Sequence, residues 1–303
     1  MSAVLQARVQ VTRDIVYGHA RVDCADGRPG RLRALRLDRY APADDGGGAP
    51  RPVAVLAFGG AFHRGSKEDD AFETPEARNT SVADYCRLLA GQGMVACSID
   101  YRLVQEDPDP GSTCAVAEPA SIPRSRVDVV RELLGLPPAT DAMLWRGIEA
   151  ASDDMAMAAR HVLAQASDWN IDPRRLVLGG FSAGARTALN AAFAEGVPAA
   201  AVVALSGYMD AHDQLRHLAA RRGVPAPAVL LVSAEHDLDY IAAHTPAMAQ
   251  GFRAQGVVCE RVLVPGAGHF YPADALAQRE DGATTTVQAS LLAFLRRHGL
   301  LPA

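Results

Sequence analysis

No stretch of this sequence is long and apolar enough to be a membrane-spanning helix. The longest apolar run, residues 197–205, falls far short of the roughly 18 residues a span needs, and Pro198 interrupts it. Residues 1–10 lack the basic start and apolar stretch of a secretory signal, so none is expected. Neither sign of charge dominates: 30 Lys and Arg face 35 Asp and Glu, a net of −5, without long single-sign blocks. That balance argues against a nucleic-acid groove or a polybasic membrane surface. Cysteine is scarce. Cys24, Cys86, Cys97, Cys114 and Cys259 are five, an odd number with no C-x-x-C spacing. Scattered mostly inside apolar runs, they are expected to be free core thiols of a reducing compartment, and the expected location is the cytoplasm. Asn79-Thr80-Ser81 has the form of a glycosylation acceptor, idle without secretion. There is no H-E-x-x-H, no His/Cys cluster and no dinucleotide fingerprint, so neither a metal nor an organic cofactor is expected.

What is present is an ordinary globular composition: 303 residues, 49% apolar and 21% charged, with a mean hydropathy of zero. Residues 8–16 and 32–37 read as strands, the second mixing apolar and basic residues as an edge strand does. Gly46-Gly47-Gly48 sits among prolines and aspartates with no strand leading in and no helix following. It reads as a flexible surface loop rather than a phosphate cradle.

From residue 53 the pattern changes. Short, nearly continuous apolar runs at 53–58, 94–99, 176–178, 200–205, 228–232 and 257–264 alternate with helical segments at 81–91, 142–166, 183–195, 245–255 and 284–298. Runs of this kind are strands buried on both faces, as in a parallel sheet covered by helices. Thr80 or Ser81 can cap the first helix, with Asp84 placed to answer it and Gly91 and Gly93 ending it. The prediction is one α/β domain over residues 1–303, with a mostly parallel central sheet of about eight strands. Residues 103–144 break the alternation, with Pro108, Pro110, Pro119, Pro123, Pro137 and Pro138 and almost no periodicity. So long an irregular connection is usually functional, and a lid over the site is expected, with a short helix at 127–134.

The strongest local signal is Gly180-Phe181-Ser182-Ala183-Gly184, between the run Leu176-Val177-Leu178 and an alanine-rich helix. A strand, a tight turn and a helix in that order push a serine hydroxyl out of the sheet edge. The residues two positions to either side must then lack side chains that would clash. A serine needs a base, and the base an orienting acid. Asp237 follows the run 229–232, and His269 follows Val262-Leu263-Val264 in a glycine-rich loop, 32 residues further on. That spacing allows one helix and one strand, which would open both loops at the same sheet edge. Asp239 and Glu235 are rivals for the acid; His63, His236 and His244 are rivals for the base. Residues 53–58 run into Gly59-Gly60-Ala61-Phe62, whose small residues would let backbone N–H groups approach a substrate oxygen.

Gly59-Gly60-Ala61-Phe62, Asp100-Tyr101-Arg102-Leu103, Gly180-Phe181-Ser182-Ala183-Gly184, Asp237 and His269 occur in the order seen in α/β-hydrolase esterases. The chain resembles their hormone-sensitive-lipase and acetyl-esterase branch from about residue 53 onward. The resemblance implies an α/β-hydrolase fold and a Ser182–His269–Asp237 triad. It implies an oxyanion hole of the Gly60, Ala61 and Ala183 amides, and an Asp-Tyr-Arg element that braces the oxyanion loop. Phe62 and Phe181 are expected against the substrate. One departure stands out: where the family usually has histidine before its glycines, this chain has Phe58. The implied activity is hydrolysis of a small or medium carboxylic ester through an acyl-enzyme, without cofactor. The expected partner is a small-molecule substrate, neither nucleic acid nor membrane, and a homodimer is compatible with the sequence. The same triad would serve a peptidase, an amidase or a thioesterase. A non-catalytic ligand-binding module on this fold would usually lack one of the three residues.

Overall fold

The computed structural model describes residues 9–24, 27–43, 48–73, 75, 77–221 and 223–301. Residues 1–8 and the glycines at 46 and 47 lie outside them. Among the described residues ten strands form one sheet in the order β1-β2-β4-β3-β5-β6-β7-β8-β9-β10. β1 (Val9–Val22) and β2 (Arg31–Pro42) form a long antiparallel hairpin, and β2 pairs antiparallel with β4 (Val95–Ile99). The parallel body follows: β4, β3 (Arg51–Ala57), β5 (Ile171–Phe181), β6 (Ala201–Leu205), β7 (Ala228–His236) and β8 (Cys259–Gly268). β9 (Leu276–Arg279) and β10 (Thr284–Thr286) extend the far side antiparallel. The expected eight strands are therefore joined by a short hairpin, and Thr284–Thr286, expected to be helical, belongs to it.

Two other expectations change. β2 lies inside the sheet rather than at its edge: Leu35, Leu37 and Tyr40 are buried, while β1 forms the outer strand. Cys114 is exposed, not a core thiol; Cys86, Cys97 and Cys259 are buried, Cys24 is half-buried, and all five are free. Strands β3 to β7 are buried almost throughout, since helices cover both faces. α1 (Val82–Gly91) starts at Ser81, whose Oγ accepts the N–H of Asp84 at 3.1 Å. The other helices are α2 (Ser125–Leu133), α3 (Asp141–Ala164), α4 (Ala183–Phe193), α5 (Ala211–Ala220), α6 (Asp239–Ala254) and α7 (Val287–Arg297). α5 was not expected, and α6 begins before Thr245 and continues through Pro246. Among the described residues no helix is long and apolar enough to cross a membrane.

The segment 103–144 is ordered by polar contacts rather than by periodic packing. Glu149 of α3 accepts the N–H groups of Ala115 and Val116, each at 2.8 Å. Asp213 of α5 accepts that of Ala117 at 3.0 Å. Short 3₁₀ turns at Val104–Glu106 and Pro119–Ser121 and the helix α2 complete it. Because β3, β5, β6, β7 and β8 run parallel, the loops at their carboxyl ends share one rim of the sheet.

Candidate active site

Ser182 stands between the last residue of β5 and the first of α4, with φ 54° and ψ −115°. A non-glycine residue in that conformation is strained and has to be held by its surroundings. The flanking glycines are sterically required. A Cβ on Gly180 would lie 2.4 Å from the carbonyl oxygen of Ala57, and one on Gly184 would lie 2.0 Å from the same atom. The elbow is thus pressed against the end of β3, and the Ser182 N–H is anchored to Leu205 O at 2.8 Å.

The other two loops meet the serine there. His269 Nε2 lies 2.9 Å from Ser182 Oγ, and His269 Nδ1 lies 2.6 Å from Asp237 Oδ1. Asp237 is buried with both oxygens in use: Oδ1 also accepts the N–H of Leu238 (2.8 Å), and Oδ2 accepts the N–H of Ala234 (3.0 Å) and Ser206 Oγ–H (2.6 Å). With the carboxylate on Nδ1, the neutral imidazole carries its proton there and turns a free lone pair toward the serine hydroxyl. Ser206 Oγ is in turn 2.9 Å from Tyr271 Oη. Sequence reasoning missed Ser206 and Tyr271, although Ser206 directly follows β6 at the same rim. The rivals are placed elsewhere. Asp239 opens α6, Glu235 is exposed and takes the N–H of Gly266 (2.7 Å), and His236 and His244 are exposed.

Gly59-Gly60-Ala61-Phe62 runs against this elbow: a Cβ on Gly59 would sit 3.4 Å from Ser182 Cβ. Gly60, Ala61 and Phe62 have φ of 108°, 55° and 62°, three left-handed residues in a row. Such a run turns successive N–H groups into one concavity, which suits an anion. The loop's carbonyls are tied away from it. Phe58 O accepts Tyr101 Oη–H (2.9 Å), Gly60 O the N–H of His63 (3.0 Å), and Phe62 O the N–H of Val104 (2.9 Å). Asp70 accepts the Gly59 N–H at 3.0 Å. Neither the Gly60 nor the Ala61 N–H is taken by another described group, and Ala183, opening α4, has no partner for its N–H within the helix. The phenol of Tyr101 also stacks on Phe58, with centroids 4.2 Å apart, so the Asp-Tyr-Arg element touches the residue that leads into the Gly59–Phe62 loop.

His63 has a second task that sequence reasoning did not assign. Its Nδ1 donates to Ala61 O (2.6 Å) and its Nε2 accepts from Arg131 Nη1 (2.9 Å), which fixes the neutral tautomer. Burial lowers its pKa, and the guanidinium adds to that.

A pocket of about 500 Å³ opens beside Ser182. Ala61 and Phe62 line it from the oxyanion loop, Ile122, Pro123, Arg126 and Val127 from the segment 103–144, and Tyr240 and Ile241 from α6. Phe181 does not line it. As the last residue of β5 its side chain turns to the other side of the elbow, where it packs against the His269 ring, with centroids 5.2 Å apart, and against Phe270 and Tyr271. The expected substrate contact is instead a floor that steadies the imidazole.

A family model described as phospholipase/carboxylesterase matches residues 144–270, the stretch that contains Ser182, Asp237 and His269. No curated protein sequence matches the chain. Among solved structures, esterase 2 of Thermogutta terrifontis phosphorylated by paraoxon superposes with a TM-score of 0.60 at 18% identity, covering 99% of this chain and 96% of that one. The fold is that of the α/β hydrolases. The same esterase with propionate bound gives a TM-score of 0.57 at 19% identity, covering 100% and 98%. Its tabun-phosphoramylated form gives 0.58 at 19% identity, again covering 100% and 98%.

Proposed function

We propose that this α/β hydrolase is a serine carboxylic ester hydrolase acting on small or medium esters. One observation carries the reading: an uninterrupted relay from Asp237 through His269 to Ser182, at 2.6 and 2.9 Å, beside a loop with unclaimed N–H groups. The match to the phospholipase/carboxylesterase model and the likeness to an esterase that reacts with paraoxon support it. Gly59-Gly60-Ala61-Phe62 with Asp100-Tyr101-Arg102 favours the hormone-sensitive-lipase and acetyl-esterase branch. Five unpaired thiols favour the cytoplasm.

His269 Nε2 removes the proton of Ser182 as Oγ attacks the ester carbonyl carbon. The carbonyl π electrons move to oxygen, and the amides of Gly60, Ala61 and Ala183 hold the oxyanion. Asp237 keeps the imidazole in its tautomer and stabilises the imidazolium. Collapse breaks the bond to the alkoxy group, which leaves as the alcohol with the proton from His269. Water, deprotonated by His269, then attacks the acyl-Ser182, and the acid departs as the serine recovers its proton. The segment 103–144 covers the pocket as a lid-like wall.

Ser182→Ala should lower kcat on p-nitrophenyl butyrate by about 10⁴-fold or more and abolish labelling by a fluorophosphonate probe, with unchanged circular dichroism. Full hydrolysis by this variant would overturn the assignment, and an unlabelled, inactive wild type would favour a ligand-binding module. Cleavage of anilides or thioesters in preference to esters would move the activity to the amidase or thioesterase class.

A further inference from the structure

The walls of the pocket beside Ser182 hold two guanidinium groups and no carboxylate, in a chain whose net charge is −5. Arg186 lies one helical turn along α4 from Ser182 and is 6% exposed. Its Nε is buried without a hydrogen-bond partner. No described group bonds its terminal nitrogens, and no described carboxylate lies within ion-pair distance. Its neighbour is a ring: the guanidinium carbon is 5.5 Å from the centroid of Tyr208. Asp210, Asp213 and Glu149 attract it only from further off, and Glu149 is taken up by the N–H groups of Ala115 and Val116. The two aspartates are likewise occupied. Asp210 caps α5 and takes Tyr208 Oη–H at 3.2 Å; Asp213 pairs with Arg216 at 3.0 Å and accepts the Ala117 N–H. Arg126, from α2, reaches the same pocket over the ring of Phe270, 5.2 Å from its centroid, and it too lacks an acidic partner among the described residues.

A guanidinium stays charged inside a protein, and a buried charge without a counter-ion is costly unless something supplies one. Arg186 cannot be exposed for solubility, since it is buried, and it braces no described carboxylate. Its planar fork fits a carboxylate with two parallel hydrogen bonds. We infer that the pocket is built for anionic esters, in which a carboxylate on the acyl or the alcohol part pairs with Arg186 while Arg126 closes on it from the segment 103–144. The inference rests on the ester-hydrolase reading and narrows its substrate class.

Two isosteric pairs test it: monomethyl glutarate against methyl pentanoate for the acyl side, and acetoxypropanoate against propyl acetate for the alcohol side. In at least one pair the wild type should favour the anion by about tenfold or more in kcat/KM, chiefly through KM. Arg186→Gln should bring that ratio to near one, Arg186→Lys should retain part of it, and Arg126→Gln should lower it by a smaller factor. A second readout avoids turnover and the folding of the Arg186 variants. Monomethyl glutarate should raise the Tm of Ser182→Ala, methyl pentanoate should not, and Arg126→Gln in that background should weaken the rise. Equal or better hydrolysis of the neutral ester in both pairs, or an unchanged ratio in Arg186→Gln, overturns the inference while the ester-hydrolase reading stands. A larger Tm rise with inorganic phosphate than with the glutarate ester overturns the assignment to carboxylates. If no ester is cleaved and no probe reacts, yet glutarate still raises the Tm, the reverse holds: the anion site stands without the hydrolase.

Discussion

Asp70 joins two parts of the site: one oxygen accepts the N–H of Gly59 and the other that of Val82, at 3.0 and 2.8 Å, so the oxyanion loop is tied to the start of α1. Burial pushes its pKa up to about 6, although both amides pull the other way. Between the unfolded value of 3.8 and that level, the folded chain holds a proton the unfolded chain has lost. Stability therefore falls as pH rises across this window, by about 3 kcal/mol at most from this group. Urea titrations at pH 4 and pH 6.5 should show the wild type losing stability relative to Asp70→Asn as pH rises. A constant difference between the two proteins would mean that Asp70 does not titrate there. Ser182, Asp237 and His269 were legible because each follows an apolar run in a recognisable loop. The roles of Ser206, Tyr271 and His63 were not, because each bonds a partner brought to it only by the fold. Phe181 was misread because neighbouring residues at a strand end face opposite ways.

The strand–turn–helix elbow works only if α4 starts hard against β3. Gly184→Ala sets a methyl 2.0 Å from Ala57 O and 2.5 Å from Phe58 O, both backbone atoms that cannot yield alone. It should cost about 1–3 kcal/mol in urea unfolding and lower esterase kcat as the loop is displaced. Gly91→Ala, whose added methyl meets nothing within 4 Å, should leave stability equal or higher. The buried parallel strands were readable as unbroken apolar runs. α5 was not, for a definite reason. Its buried residues are Asp213, Gln214 and His217, each bonded to a carbonyl or amide elsewhere, so it turns a polar stripe inward where an apolar one would have signalled a helix. β2 was read too short because Asp38 and Arg39 interrupt the apolar pattern before buried Tyr40.

Across the whole molecule, one buried ammonium adds to the β2–β4 pairing in tying the antiparallel hairpin to the loop that follows β3. Lys67 Nζ lies 2.9 Å from Asp38 of β2 and 3.1 Å from Asp14 of β1, with Glu68 also bound, while its N–H donates to Asp100 at 3.1 Å. The three acids raise its pKa against the effect of burial. Lys67→Met should destabilise the chain by about 3 kcal/mol or more in urea unfolding, since fully buried Asp38 would keep half-exposed Arg13 as its one cation, with only the N–H of Asp14 beside it. A change below 1 kcal/mol would show that Arg13 suffices. At this scale the parallel body of the sheet was legible, but neither its strand order nor the way the hairpin attaches was, because a lone lysine in a loop carries no periodic signature.

The bond from Arg131 to His63 makes the proline-rich wall and the anion-cradling loop one mechanical piece. Carving that wall back to admit bulkier acids would slacken the loop proposed to hold the oxyanion. Breadth and speed are therefore coupled on that side of the cleft. Directed evolution for new substrates has more freedom at Tyr240 and Ile241, which border the same space from a different helix.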